Sequence, residues 1–210
     1  HARGAGEHLG AGVDRQQMVG VRRARRQRRA AEQTSYALGC DALGDGEARA
    51  VLAARPWAAE VLLLSGELAP HSPHRQAWLR RLLDLCRLAW AEGRLPHTNA
   101  GPLSLGEMAD LGRLNGSMGL MLEGLGPAYD ALHRRAPSKR LEVRVAQLEQ
   151  AGRLGIPFTT GLLLGVGESQ ADRREALELL ARLQGRWGHL QEVILQPYRP
   201  DGATAQRLTS

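Results

Sequence analysis

Only two cysteines, Cys40 and Cys86, occur in 210 residues, and they stand 46 positions apart. Neither a disulfide framework nor a clustered thiolate metal site can be built from this chain alone. Long apolar runs are missing too. No stretch approaches the roughly 18 consecutive apolar residues that a membrane-spanning helix requires, and the opening residues lack the apolar core of a secretory signal. These absences predict a cytoplasmic protein. A surplus of one charge is also absent from most of the chain. The formal charge of +6 is carried by residues 1–30, where eight arginines face only Glu7 and Asp14, whereas residues 31–210 hold 20 basic and 20 acidic groups. The run Arg22 to Arg29 can meet phosphates, but no aromatic residues interleave it and almost no apolar ones dock it, which makes nucleic acid a minor alternative to a solvated leader. His1 in place of an initiator Met, with the Gly/Ala/Arg bias of the first 40 residues, points to a fragment or a misplaced start.

From about Glu47 onward, short β-type runs alternate with amphipathic stretches. Candidate buried parallel strands are Glu60 to Leu64, Arg94 to Thr98, Gly116 to Leu122, Pro157 to Leu164 and Glu192 to Gln196. Between the first two, Trp78, Leu82, Leu85 and Ala89 share a helical stripe flanked by Cys86 and Trp90, which places Cys86 in the core. Ser104 and Glu107 have the spacing of a capping box, a second helix is predicted from about Arg140 to Leu154, and a third follows Ser169 and stops at Gly188. Such βα succession predicts parallel strands in either an open doubly wound sheet or a (β/α) barrel. A complete barrel has eight strands, so five strands make a partial one.

In both folds, function gathers at the carboxyl ends of the strands. There the chain places Ser65-Gly66-Glu67, Thr98 to Gly101, Glu123, Gly165-Val166-Gly167-Glu168 and Gln196 to Tyr198. The Gly165–Glu168 turn lets backbone approach a ligand, but it lacks the third glycine of a dinucleotide fingerprint and the Lys-Ser/Thr of a P-loop. His97 at a strand end offers a proton-transfer group or a structural imidazole. His71 and His74 have too few companions for a metal. His133, Ser138 and the sole lysine, Lys139, lie in a polar connection able to hold an anionic or carbonyl-rich ligand, and Arg144 borders a buried stripe from which it reaches a mouth carboxylate or snorkels.

Six blocks in order, VLLLSGE (Val61 to Glu67), LPHTNAGPLS (Leu95 to Ser104), SMGLMLE (Ser117 to Glu123), HRRAPSK (His133 to Lys139), IPFTTGLLLGVGES (Ile156 to Ser169) and QEVILQPYRP (Gln191 to Pro200), resemble the 7,8-didemethyl-8-hydroxy-5-deazariboflavin synthases. These are radical S-adenosylmethionine enzymes forming the first subunit of FO synthase. The resemblance implies a partial TIM-type (β/α) barrel over residues 47–203, with residues 1–46 an unmatched leader and residues 204–210 a truncated tail. It implies a 4Fe-4S cluster and S-adenosylmethionine as cofactors. The implied reaction is a radical cyclisation of a hydroxybenzyl-substituted ribityl-diaminouracil adduct with loss of ammonia, in a pathway shared with FO synthase subunit 2. By this resemblance Ser65, Gly66 and Glu67 match a Gly-Gly-Glu segment that meets the methionyl amino group, with Ser in place of the first Gly. Glu123 and Arg144 match the ribose and methionyl carboxylate contacts, and Gly165, Gly167 and Glu168 match the adenosine side. His97, Asn99, His133 and Gln196 are implied substrate contacts. The Cys-x-x-x-Cys-x-x-Cys triplet that binds three irons is absent, so no metal ligand is assigned. Truncation at both ends, or a shifted upstream frame, is the expected cause, and the polypeptide as it stands is expected not to perform the reaction. The alternatives are a cluster-free binding module and a nucleic-acid binder acting through the leader.

Overall fold

The computed structural model describes residues 43–199, so the leader with Arg22 to Arg29 and Cys40, and the tail 204–210, lie outside the described residues. The elements in order are α1 (Asp45–Ala53), β1 (Glu60–Leu64), α2 (Arg75–Ala91), β2 (Leu95–Asn99), α3 (Leu105–Gly112), β3 (Ser117–Gly119), α4 (Pro127–Leu132), a 3-10 turn (Pro137–Lys139), α5 (Leu141–Arg153), β4 (Phe158–Leu164), α6 (Gln170–Trp187) and β5 (Leu190–Pro197). All four strand pairings are parallel, and the spatial order is β1-β2-β3-β4-β5. A doubly wound sheet reverses direction at a switch point, whereas this order advances steadily, as in a barrel wall. Right-handed crossovers then lay every helix on one face. The structure therefore decides between the two architectures in favour of a partial (β/α) barrel.

Strand alternation builds the core. Val61, Leu63, Met118, Phe158 and Leu162 pack with Leu82, Leu85, Met108, Leu148 and Leu180 of the helices. Thr98 faces the same layer, donating to Asn115 Oδ1 at 2.7 Å with Cys86 Sγ 3.6 Å away. Cys86 is fully buried as predicted, and burial raises its thiol pKa. Period-2 alternation therefore turns His97 and Asn99 to the opposite, barrel-interior face. Caps stop the helices where the sequence says: Ser104 and Glu107 form their box, and Gly188 ends α6 in the left-handed region at φ 64°. The short helix α1 was not foreseen. Its first turn is held by Glu47, which accepts the Gly44 amide, and by Arg81 of α2, which reaches Asp45 at 2.6 Å.

Three strand and helix expectations need correction. Ladder pairing in β3 ends at Gly119, because Leu120 donates to Thr159 O but Glu123, not Leu122, donates next to Gly161 O, while the Leu122 amide goes to Thr160 Oγ1. One extra residue on this strand makes a bulge that re-aims the chain at its carboxyl end. β5 is an exposed edge and not a buried strand. It pairs only with β4, and among the described residues nothing covers Val193, Ile194 and Leu195, which remain 38%, 40% and 56% exposed. Trp90 lies half out of the core, its Nε1 donating to Leu114 O at 2.6 Å.

His189, between α6 and β5, is buried, and neither ring nitrogen has a well-formed hydrogen bond. Burial lowers its pKa, opposed only by the Leu148 backbone. The folded state thus resists a proton that the unfolded chain accepts near the model-peptide value of about 6.5, so stability is full above that pH and declines as pH falls below it. Urea unfolding is expected to show a lower midpoint at pH 5 than at pH 7.5, and His189→Leu is expected to reduce that difference.

Candidate functional site

The mouth is built from the loops after β1, β2 and β3, closed on one side by α5. Ser65 continues the β1–β2 ladder, its amide donating to Asn99 O at 3.1 Å. Gly66 faces open space, so its backbone is accessible from the mouth. Glu67 is turned inward and receives Arg144 Nη2 at 2.8 Å. Two neighbours hold it there. Gly101 sits at φ 74° with its Cα against Glu67, so that a Cβ would overlap Glu67 Cγ. Arg75 clamps the loops on either side: its guanidinium donates to Glu107 at 2.6 and 2.7 Å, to Leu68 O and to Pro102 O. The Arg75 hydrogen bonds outweigh partial burial and hold the Glu107 carboxyl at about 2. Gln147 of α5 completes the frame by accepting from Leu103 N and donating to Leu103 O, both at 2.8 Å.

Glu123 leaves the β3 bulge with φ 71°, a left-handed conformation that a non-glycine residue seldom adopts. Its backbone is fixed between Gly161 O and the Leu163 amide, which turns its carboxylate into the mouth. Lys139 Nζ donates to Oε1 at 2.5 Å, His133 Nε2 lies 2.5 Å from Oε2, and Arg144 Nη2 is 3.9 Å from Oε1. The imidazole contact is close, yet its alignment is not that of a hydrogen bond, and both Oε2 and Nε2 are buried against each other. Burial would raise the Glu123 carboxyl, but His133 and Lys139 overcome it and hold it at about 2. Arg144 itself is only 2% exposed and its Nε has no partner.

The β4 turn behaves differently from expectation. Gly165 and Gly167 take φ 91° and 105°, as a tight glycine turn requires. Glu168, however, folds back. Its fully buried carboxylate accepts from the Gly165 and Val166 amides and from Arg173, each at 2.8 Å, and these bonds overcome burial to hold it at about 2. That carboxylate staples its own turn, leaving backbone as the surface offered to a ligand. Tyr129 locks α4 beside it, the ring resting on Gly124 and Oη donating to Leu163 O at 2.5 Å; burial pushes its phenol up to about 12.

Of the sequence-derived candidates, Glu67, Glu123, Arg144 and His133 form one cluster, with Ser65, Gly66 and Asn99 on its rim. His97 is two residues deeper, its Nδ1 2.6 Å from Ser117 Oγ and 3.4 Å from Glu60, with its pKa lowered by burial. Gln196 pairs with Leu163 on the exposed β5 edge and makes no side-chain hydrogen bond to the cluster. His71 and His74 are exposed, and among the described residues no three metal-ligating side chains gather. Sequence reasoning missed Arg75, Gln147 and the packing role of Gly101, because the partners Glu107, Leu103 and Glu67 lie more than 30 positions away and leave no local pattern. Arg75→Ala, which strands Glu107 and two carbonyls, is expected to cost on the order of 3 kcal/mol. Gly101→Ala is expected to cost about 1–2 kcal/mol from left-handed strain alone and to shift the Glu67 side-chain resonances by NMR.

No family model matches the chain. It is 59% identical over 150 residues to the 7,8-didemethyl-8-hydroxy-5-deazariboflavin synthase of Thermosynechococcus vestitus, an alignment that covers 71% of this chain and 48% of that relative. Synthases of the same name from a Nostoc species and from Gloeobacter violaceus are 60% and 55% identical, over 67% and 69% of this chain and 42% and 46% of their own lengths. The chain thus spans a little under half the length of the curated relatives it matches. Among solved structures, methylornithine synthase superimposes with a TM-score of 0.55 at 18% identity, covering 70% of this chain and 41% of that one, a likeness of fold alone. At 55–60% identity over 67–71% of its length, the matched part of this chain belongs to the 7,8-didemethyl-8-hydroxy-5-deazariboflavin synthase family.

Proposed function

We propose that these residues form the S-adenosylmethionine side of a radical lyase that makes 7,8-didemethyl-8-hydroxy-5-deazariboflavin by oxidative cyclisation with loss of ammonia. The observation that carries the reading is the buried Arg144 guanidinium set between Glu67 and Glu123. An amino-acid zwitterion is complementary to that arrangement: its ammonium pairs with Glu67 and its carboxylate with Arg144. Ribose hydroxyls pair with the Glu123 carboxylate, and the Gly165–Gly167 backbone takes the adenosine side. Ser65 and Gly66 contribute backbone, Glu168 shapes its turn, and His97, Asn99, His133 and Gln196 face the hydroxybenzyl-ribityl-diaminouracil adduct.

The 4Fe-4S cluster of the family does not fit the residues of this chain. Three thiolates are needed; Cys86 is sealed in α2 against Thr98, and Cys40 alone cannot supply them. No step of the cyclisation is therefore assigned to these residues, and this polypeptide by itself is expected to bind and not to turn over. FO synthase subunit 2 is the pathway partner in this reading. Location in the cytoplasm accords with it, and no helix among the described residues is long and apolar enough to cross a membrane.

Isothermal titration of the folded chain with S-adenosylmethionine tests the proposal. Saturable binding is expected, weakened about tenfold or more by Arg144→Met or Glu67→Gln, since each removes a charged hydrogen-bonding partner of the zwitterion. Absence of binding by the folded parent overturns it. Anaerobic incubation with iron and sulfide is expected to leave the chain free of iron.

A further inference from the structure

The basic residues of this chain number 28, and 27 of them are arginine. The single lysine, Lys139, is not scattered on the surface. It closes the 3-10 turn before α5 and donates to Glu123 Oε1 at 2.5 Å, with its own side chain two-thirds buried. If this position required only positive charge, the residue used at every other basic position would serve. We propose that Lys139 is the positioning residue for Glu123 and that the place requires an ammonium, a one-point cation which holds one carboxylate oxygen and leaves the other to His133 and a ligand hydroxyl.

The geometry gives the reason. Glu123 is approached from three elements: Lys139 from the 3-10 turn, His133 from the end of α4 and Arg144 from α5. A guanidinium is a planar fork that engages both oxygens of a carboxylate at once, whereas an ammonium is compact and engages one. A fork at position 139 would cover Oε2 as well as Oε1, displacing His133 and consuming the acceptor that has no hydrogen-bond donor in this structure. The left-handed backbone of Glu123 turns its carboxylate into the mouth, and Lys139 is the cation that donates to it there.

The coupling of Lys139 to Glu123 stands on the structure, while its consequence for a sugar hydroxyl rests on the reading of Glu123 proposed above; the experiment separates the two. Because the chain has one lysine, trace acetylation followed by peptide mass analysis reports that amine alone. In the native chain the rate at Lys139 is expected to be about fivefold or more below that in urea, as a charge-assisted hydrogen bond to a carboxylate implies, and Glu123→Gln is expected to remove most of the difference. An unchanged rate in Glu123→Gln overturns the proposal whatever the ligand is. In a second arm, adenosine and methionine are titrated separately by ligand-observed NMR. Lys139→Gln and Lys139→Arg are both expected to weaken adenosine about tenfold, the scale of one charged hydrogen bond, and to leave methionine affinity unchanged. Parental affinity for adenosine in Lys139→Arg overturns the ammonium requirement. If the parent chain binds neither probe, the adenosylmethionine reading fails and the acetylation arm alone decides the role of Lys139.

Discussion

A guanidinium that is 2% exposed must find counter-charge, and the mouth of this barrel is organised around that requirement. Arg144 draws Glu67 from the loop after β1 and stands within ionic reach of Glu123 from the end of β3, two segments otherwise separated by β2 and its connections. Each carboxylate arrives by its own device. Glu67 is pressed into place by the left-handed backbone of Gly101 and by loops that Arg75 ties together. Glu123 is delivered by a bulge and a strained φ. Burying these charges singly would be unfavourable; as a connected set, each supplies the partner that another lacks.

Helix α5 carries much of this construction. Arg144, Gln147 and Leu148 are three and four positions apart, hence on one helical face, and they respectively hold the mouth carboxylates, fix the backbone of Leu103 after β2 and fill the core beneath. Core packing, loop geometry and site charge are therefore coupled through one rigid element. A shift of α5 moves all three together, so one helix sets core, loop and site geometry although its N-terminus has no side-chain cap.

The elements whose signals are local were legible in the sequence. The Ser104–Glu107 box, the Gly188 stop and the five apolar runs needed only nearest neighbours in the chain to be recognised, and β1 falls where it was predicted. The site was legible in part: Glu67, Glu123 and Arg144 stand at strand ends or at a stripe border, positions with functional meaning in a βα protein. What escaped depended on distant partners. Arg75 joins residues 27 and 32 positions ahead, and Gln147 reaches back 44. The bulge before Glu123 escaped because an apolar run continues through it, and nothing in SMGLMLE marks an extra residue. Glu168 looked like a ligand contact because a carboxylate after a glycine turn is usually free to face outward, yet the two glycines let the turn tighten until its amides captured it.

The open edge of β5 bears on how much of the barrel this mouth requires. Val193, Ile194 and Leu195 lie at the far side of the sheet from β1, and β5 supplies none of the charged groups around Arg144. Those groups come from the loops after β1 and β3, from the end of α4 and from α5, all held by contacts internal to the first four strands. Charge complementarity at the mouth is thus complete before the barrel is. In this chain, charge balance at the mouth and the remaining wall are separable physical problems. The first is solved by a buried cation shared between two carboxylates, and the second by covering an apolar strand edge that water would otherwise meet.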